Sequence, residues 1–362
     1  MTTVNAKIAI VLPNNIWFSP YVSIYTEVLR ANKIPYDIIS WNRDGSEDNP
    51  LQFNYALNDR NPFVLFRAYH KFASFVKKMI TEKSYERLIV FTPQSGIFLS
   101  NFLKKNFKGK YIFDYRDLSI EQKFYFKKPF LKVLQNSYAN VISSLGFKKY
   151  LPKRYKYIIS HNFNVESVRR ALDDNVGEEL TDNPIDVLTI GGIRDYESNV
   201  QIIEHLANVS GFSVRFVGKG PSAAALQKRT AELKADNVSF IGYYPKEREK
   251  EYVAEASFLN IFYPRKPSHD TAISNRFYNS LIYRKPMITT RGTIQGDYAE
   301  KYNVGVALDS CENLPEILRT YLSSTNTKLI CDNSNKLLRD FLKDYELWES
   351  MFLNFIDMKS LC

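Results

Sequence analysis

Three short stretches in the second half of the chain combine glycine, cations and backbone N–H groups in the way an anion site requires. In "GGIRDYES", Gly191 and Gly192 allow close backbone approach to a ligand and Arg194 brings charge. In "VGKGP", Lys219 stands between two glycines. In "SNRFYNSLIYRKP" (274–286), Ser274 can cap a helix whose apolar positions are Phe277, Leu281 and Ile282, and Lys285-Pro286 ends it. The first turn of that helix nevertheless holds Asn275, Arg276 and Asn279, where an ordinary core helix needs no polar residue. Cations and unpaired N–H groups at a helix start favour a phosphate or diphosphate.

Each stretch follows a run that reads as a strand and leads into a helical pattern. Ile8–Leu12, 36–40, 88–91, 111–114, 140–143 and 157–159 are expected strands of the first half. Runs at 186–190, "SVRFVG", "VSFIG", "SFLNIFY" and 287–290 repeat the alternation in the second half. Helical patterns over about 20–32, 63–82, 198–210, 222–234, 246–256 and 335–358 separate them. Alternation of this kind implies two parallel, doubly wound α/β sheets, whose ligands bind beyond the carboxyl ends of the strands. The expected division is a first domain over 1–163, a polar linker over 164–184 containing "DDNVGEELTDNP", and a second domain over 185–337. A helical region over about 338–362 closes the chain; the resemblance given below implies that it returns to the first domain.

At 362 residues with 44% hydrophobic content, the chain has enough apolar mass for two cores. No apolar run is long enough to span a membrane, and the first residues lack the pattern of a signal peptide. Cys311, Cys331 and Cys362 form no metal-ligand spacing and are expected to be reduced. The net charge of +10 is uneven: residues 1–164 hold 25 Lys+Arg against 11 Asp+Glu, whereas 165–362 hold 24 against 28. The basic half suits an anionic partner. Two of its segments, 63–79 and 124–134, interleave Phe and Tyr with Lys and Arg, as a helix on an anionic membrane surface would, although solvated faces of ordinary helices give the same pattern. No nucleic-acid-binding module accompanies the charge. The P-loop and Gly-x-Gly-x-x-Gly fingerprints are absent, and the first loop, Pro13-Asn14-Asn15, has no glycine, which argues against a dinucleotide enzyme.

The succession "GGIRDY", "VRFVGKGP", "NVSFIGYYP", "ISNRFYNSLIYRKPMITT" and "YNVGVAL" resembles the C-terminal domain of bacterial glycosyltransferases of the two-Rossmann (GT-B) architecture. More narrowly, it is similar to the family-four-like enzymes (glycosyl transferases group 1) of capsule, exopolysaccharide and O-antigen assembly. The likeness is closest over about 185–310, and "FDYRDLS", "VISSLGFKKYLP" and "YIISHNF" extend it more loosely into the first half. It implies two Rossmann-like domains facing each other across a cleft, with the C-terminal helix packing back on the first. The activity implied is transfer of a sugar from a nucleotide-diphosphate donor to a hydroxyl of a lipid-linked glycan at the inner face of the plasma membrane. Neither metal nor other cofactor is implied, and no Asp-x-Asp motif occurs in a suitable loop.

By the same resemblance, Gly191, Gly192, Arg194 and Lys219 meet the donor diphosphate. Ile241, Gly242 and Tyr243 line the nucleobase pocket, and Ser274, Asn275 and Arg276 meet the diphosphate and distal donor groups. Asn279 stands where the family usually has a glutamate that binds the donor ribose, a departure from the pattern. Thr271 replaces a position that is often acidic, with Asp270 beside it and near the donor sugar.

On the acceptor side, Asn14, Asn15 and Arg116 are candidates to bind glycan hydroxyls. Asp117 of "DYRD" could deprotonate the acceptor or cap a helix, and His161 could serve catalysis or a hinge. Two other readings stay open. A sugar-nucleotide 2-epimerase of the same architecture would need no acceptor. A non-catalytic glycan-binding partner subunit would fit the departure at Asn279.

Overall fold

Strands in this chain are short apolar runs, and the hydrogen-bond register joins them into two wholly parallel sheets. The computed structural model describes residues 7–57, 61–174 and 184–357. Contacts divide the chain into unit 1, Met1–Asn162 with Asp344–Cys362, and unit 2, Phe163–Lys343.

In unit 1 the strands are β1 (Ile8–Leu12), β2 (Tyr36–Asn42), β3 (Gln52–Asn54), β4 (Arg87–Phe91), β5 (Tyr111–Tyr115), β6 (Ala139–Ile142) and β7 (Ile158–Ile159). Their order is β3-β2-β1-β4-β5-β6-β7, so the winding reverses between β1 and β4. Residues of β1, β4 and β5 are buried throughout, as expected of a parallel sheet covered by helices on both faces. β3 was not foreseen because its three residues carry no periodic signal.

Unit 2 contains β8 (Ile185–Ile190), β9 (Phe212–Val217), β10 (Val238–Ile241), β11 (Phe258–Ile261), β12 (Met287–Thr290) and β13 (Gly305–Leu308). Here the order is β10-β9-β8-β11-β12-β13, and the reversal lies between β8 and β11. Carboxyl ends of these two strands are where a doubly wound sheet leaves room for a ligand.

The expected polar linker begins instead with a helix, Val165–Asp173, capped by the Asn164 side chain on Ser167 N at 2.8 Å. Its Val168 and Ala171 join a core of unit 2 with Phe277 and Leu281. Residues 175–183 of that linker lie outside the described residues.

The closing helix is longer than its apolar pattern suggested, Thr327–Asp357. Leu337, Leu338 and Phe341 pack within unit 2, whereas Trp348, Phe352, Phe355 and Ile356 enter the core of unit 1 beside Ile8, Ile10 and Tyr25. Tyr25 meets the rings of Trp348 and Phe352 edge-on, each at 5.0 Å between centroids. Burying such a side chain contributes about 1.5–3 kcal/mol, so the returning end is integral to the first core. Cys311 and Cys331 are buried thiols without a disulfide. Among the described residues, no helix is long and apolar enough to cross a membrane.

Candidate donor-type site in the second unit

The glycines after β8 and β9 serve each other. Gly191 holds a φ of +93°, and Gly218 a φ of +132° with a Cβ position only 2.0 Å from Gly191 O. A Cβ on Gly220 would lie 2.1 Å from Ile193 O. No residue with a side chain fits at either place, so the Gly-Lys-Gly turn can press against the Gly-Gly loop. The N–H of Gly191 donates to Val217 O at 2.9 Å and that of Ile193 to Lys219 O at 3.1 Å. Lys219 contributes its backbone here. Its ammonium is exposed, lies 5.9 Å from the Tyr243 ring and does not line the cavity described next.

A cavity of about 440 Å³ opens at the β8–β11 reversal. It brings together Gly191, Gly192, Arg194, Ser274, Asn275, Arg276 and Asn279 from the sequence candidates. Gly242, Tyr243 and Asp270 lie outside its lining. The first aromatic to reach it is Tyr244, one residue on, while Tyr243 is 75% exposed. Asp270 is held by Arg265, with oxygens 2.8 and 3.1 Å from Nε and Nη2, and so is taken up by a surface ion pair.

Ser274 caps its helix as its type predicted, accepting from Phe277 N, and it donates to Gln295 Oε1 at 2.8 Å. Arg276 departs from expectation. Its guanidinium is buried and spends its donors on backbone: Nε to Ile190 O, Nη1 to Asn260 O at 3.2 Å and Nη2 to Gly192 O at 2.8 Å. It therefore ties together the ends of β8 and β11 and the glycine loop, and no carboxylate pairs with it among the described residues. Arginine suits this position because a planar fork can reach three carbonyls from one stem. A positive charge with no carboxylate partner among the described residues is left in the cavity wall, beside the start of the helix Asn275–Ile282, whose dipole adds to the field.

Arg194 is the exposed complement. Its side chain is exposed, passes over Gly192, lines the cavity and has no protein partner among the described residues. Beneath the site, Asn260 donates to Thr189 Oγ1 at 2.8 Å and Asn199 Oδ1 at 3.0 Å and accepts from Phe262 N at 3.0 Å. That satisfied network fixes the floor, since each buried polar atom would be costly alone.

Sequence reasoning missed Glu249, a buried carboxylate in the cavity wall that accepts from Asn279 Nδ2 and Tyr244 Oη, each at 2.8 Å, and from Lys246. It sits within "KEREKE", which reads as a solvated charge run.

In unit 1 several candidates are occupied by structural duties. Arg116 is buried, lies 2.6 Å from Asp114 Oδ1 and donates to Ser160 O at 3.0 Å, so it is not free to bind an acceptor as expected. Asp114, also buried, accepts from Tyr25 Oη at 2.7 Å. Asn15 is buried in a knot with Asn42 and Asp44 at 3.0 and 2.8 Å, again unavailable to a ligand. Asn14 is half-exposed and unencumbered. Asp117 is reached by solvent yet hemmed in by protein. Loss of water raises its carboxyl above the ordinary value, Arg116 opposes this and Glu121 adds to it. That direction suits a proton acceptor. The strand-to-helix turn after β4 carries backbone strain at Thr92, φ +70°, beside buried Thr92 and Ser95 hydroxyls without hydrogen-bond partners.

His161 is buried, with Nε2 3.1 Å from Asp344 Oδ2 on the closing helix. It fastens that helix to unit 1, the structural one of the two roles open to it. Burial lowers its pKa, and Asp344 opposes the shift. The folded chain thus keeps His161 neutral where the unfolded chain would take a proton. Stability present above the unfolded value of 6.5 falls as pH drops below it and levels off below the folded value. Urea unfolding at pH 7.5 and 5.5 should show about 1 kcal/mol of loss that disappears in His161→Asn.

No family model matches the chain, and no curated protein matches it. Solved structures do. Sucrose-phosphate synthase from Thermosynechococcus elongatus superposes with a TM-score of 0.68 at 14% identity, over 96% of this chain and 99% of that one. The lipopolysaccharide outer core galactosyltransferase WaaB gives 0.64 at 15% identity, over 97% and 99%. Anabaena Alr3699/HepE in complex with UDP gives 0.65 at 10% identity, over 96% and 100%. At these identities the likeness shows the fold, the two-domain α/β architecture of GT-B glycosyltransferases.

Proposed function

We propose that this chain is a glycosyltransferase that binds a nucleotide-diphosphate sugar in unit 2 and transfers the sugar to a hydroxyl of a lipid-linked glycan in surface polysaccharide assembly, working without a metal. One observation carries the donor half of this reading. At the strand reversal of unit 2, a cavity wall holds Arg276 and Arg194, neither paired with a carboxylate among the described residues, and a helix start side by side. A diphosphate brings negative charge to these two arginines, and the same groups would stabilise it as a leaving group. HepE, which shares the fold, is described in complex with UDP. Asp117 is the candidate base on the acceptor side, and Asn14 a candidate for the glycan.

Release of nucleoside diphosphate from UDP-, GDP- or dTDP-sugars, dependent on a glycan acceptor, is the expected activity. Sugar-nucleotide turnover without acceptor and without diphosphate release would support an epimerase instead.

The basic surface of unit 1 supports a cytoplasmic protein held at an anionic leaflet. Besides the aromatic-basic helices Pro62–Lys83 and Phe124–Asn136, a cavity of about 510 Å³ is lined by Lys148, Lys153, Lys156, Tyr155 and Tyr157 with no carboxylate. Co-sedimentation should be strong with vesicles containing phosphatidylglycerol, should fall with salt and should be absent with neutral phosphatidylcholine; equal binding to both would remove the membrane from this reading.

A further inference from the structure

Asn279 and Glu249 form a single device. Asn279 lies one helical turn beyond Asn275, about 6 Å deeper along the cavity wall at 1.5 Å per residue. An amide there can offer a carboxylate only its N–H, and it does so to Glu249 Oε1 at 2.8 Å. Glu249 opens the short helix Glu249–Ala254, and its side chain reaches the cavity from a different element. Tyr244 Oη donates to its other oxygen at 2.8 Å, and Lys246 bridges to Oε1 from the surface. Burial and Glu249 raise the Tyr244 hydroxyl well above its ordinary value, so it stays protonated and donates.

A buried carboxylate held by three protein donors is still not fully occupied. It can accept about four hydrogen bonds, and Oε2 holds one protein partner. A phosphate would be repelled there, whereas hydroxyl groups are the natural donors. We propose that Glu249 is the ligand-binding carboxylate of this site, accepting hydrogen bonds from a pair of ligand hydroxyls, and that Asn279 positions it. This rests on the donor-site reading above. It also gives residue 279 a physical reason to be neutral. A glutamate there would face Glu249 within hydrogen-bond distance, and two carboxylates so close cannot both stay ionised.

Hydroxyl pairs occur both on the nucleotide ribose and on the donor sugar, and calorimetry can separate them. UDP, 2′-deoxy-UDP and UDP-glucose would be titrated into the wild type, Glu249→Gln, Asn279→Glu and the exchanged double variant, with thermal melts confirming folding. GDP and its analogues replace these probes if the chain prefers guanine. The wild type is expected to favour UDP over 2′-deoxy-UDP by about tenfold, the worth of one charge-assisted hydrogen bond. In Glu249→Gln that preference should shrink to about threefold or less. If instead the gain of UDP-glucose over UDP is what shrinks, Glu249 holds the sugar, and the proposal stands. Asn279→Glu should weaken binding about tenfold, and Glu249→Gln in the same chain should restore most of it, because an amide again faces a carboxylate.

Equal weakening of all probes in Glu249→Gln, or no change in either preference, would overturn the proposal and leave the donor site intact. Tighter binding in Asn279→Glu alone would also overturn it. Failure of the wild type to bind any nucleoside diphosphate would remove the donor site itself, and Glu249's role with it.

Discussion

Arg276→Ala should destabilise unit 2 by roughly 3–5 kcal/mol, the cost of leaving buried groups without their charged partner. Three carbonyls from Ile190, Asn260 and Gly192 lose their donor at once, and the glycine loop loses its tie to the sheet. Arg276→Lys should fall between the two, since an ammonium cannot span three acceptors in one plane. Urea unfolding followed by circular dichroism reads both effects. Diphosphate affinity should collapse along with stability, so a variant that keeps its unfolding midpoint would show that the carbonyl contacts contribute little.

Arg194→Ala makes the opposite separation. The side chain is exposed and partnerless among the described residues, so removing it should leave stability within about 0.5 kcal/mol. A diphosphate in the cavity would nevertheless lose a charge-assisted contact, weakening binding about 10- to 100-fold. The loss should be larger at low ionic strength, because an exposed cation is screened by salt. Calorimetric titration of UDP at 20 and 300 mM salt measures both terms. An unchanged affinity would place the diphosphate away from Arg194.

These two arginines show how far residue types carry and where they stop. Both read as diphosphate ligands in the sequence, each beside a strand end and a helix start. Only the structure separates them, because strand register decides that Arg276 points back to carbonyl oxygens of β8 and β11. The glycines were legible for a related reason: their types demand backbone proximity, although the partner of Gly218 turned out to be Gly191 O as well as any ligand. Glu249 was not legible. A glutamate in a run of charges carries no mark of burial until Tyr244 and Asn279 close on it.

The strand-and-helix alternation made the fold readable, since apolar runs of parallel strands stand out from amphipathic helices. β3 was missed because its three residues carry no periodic signal, and β13 because Gly305, a residue that usually marks a turn, opens it and breaks the apolar run. Helix Val165–Asp173 was hidden by its polar face, with two buried residues to hold it. His161 and Arg116 looked like chemistry because they are polar residues at strand ends. Their burial against Asp344 and Asp114 identifies them as fastenings of unit 1.

The most direct test is calorimetric titration of UDP, GDP, dTDP, ADP and CMP into the wild-type chain. Selective binding of one nucleoside diphosphate, with CMP inert, is the predicted result and would name the donor class. Binding of none of them would contradict a nucleotide-sugar site in unit 2.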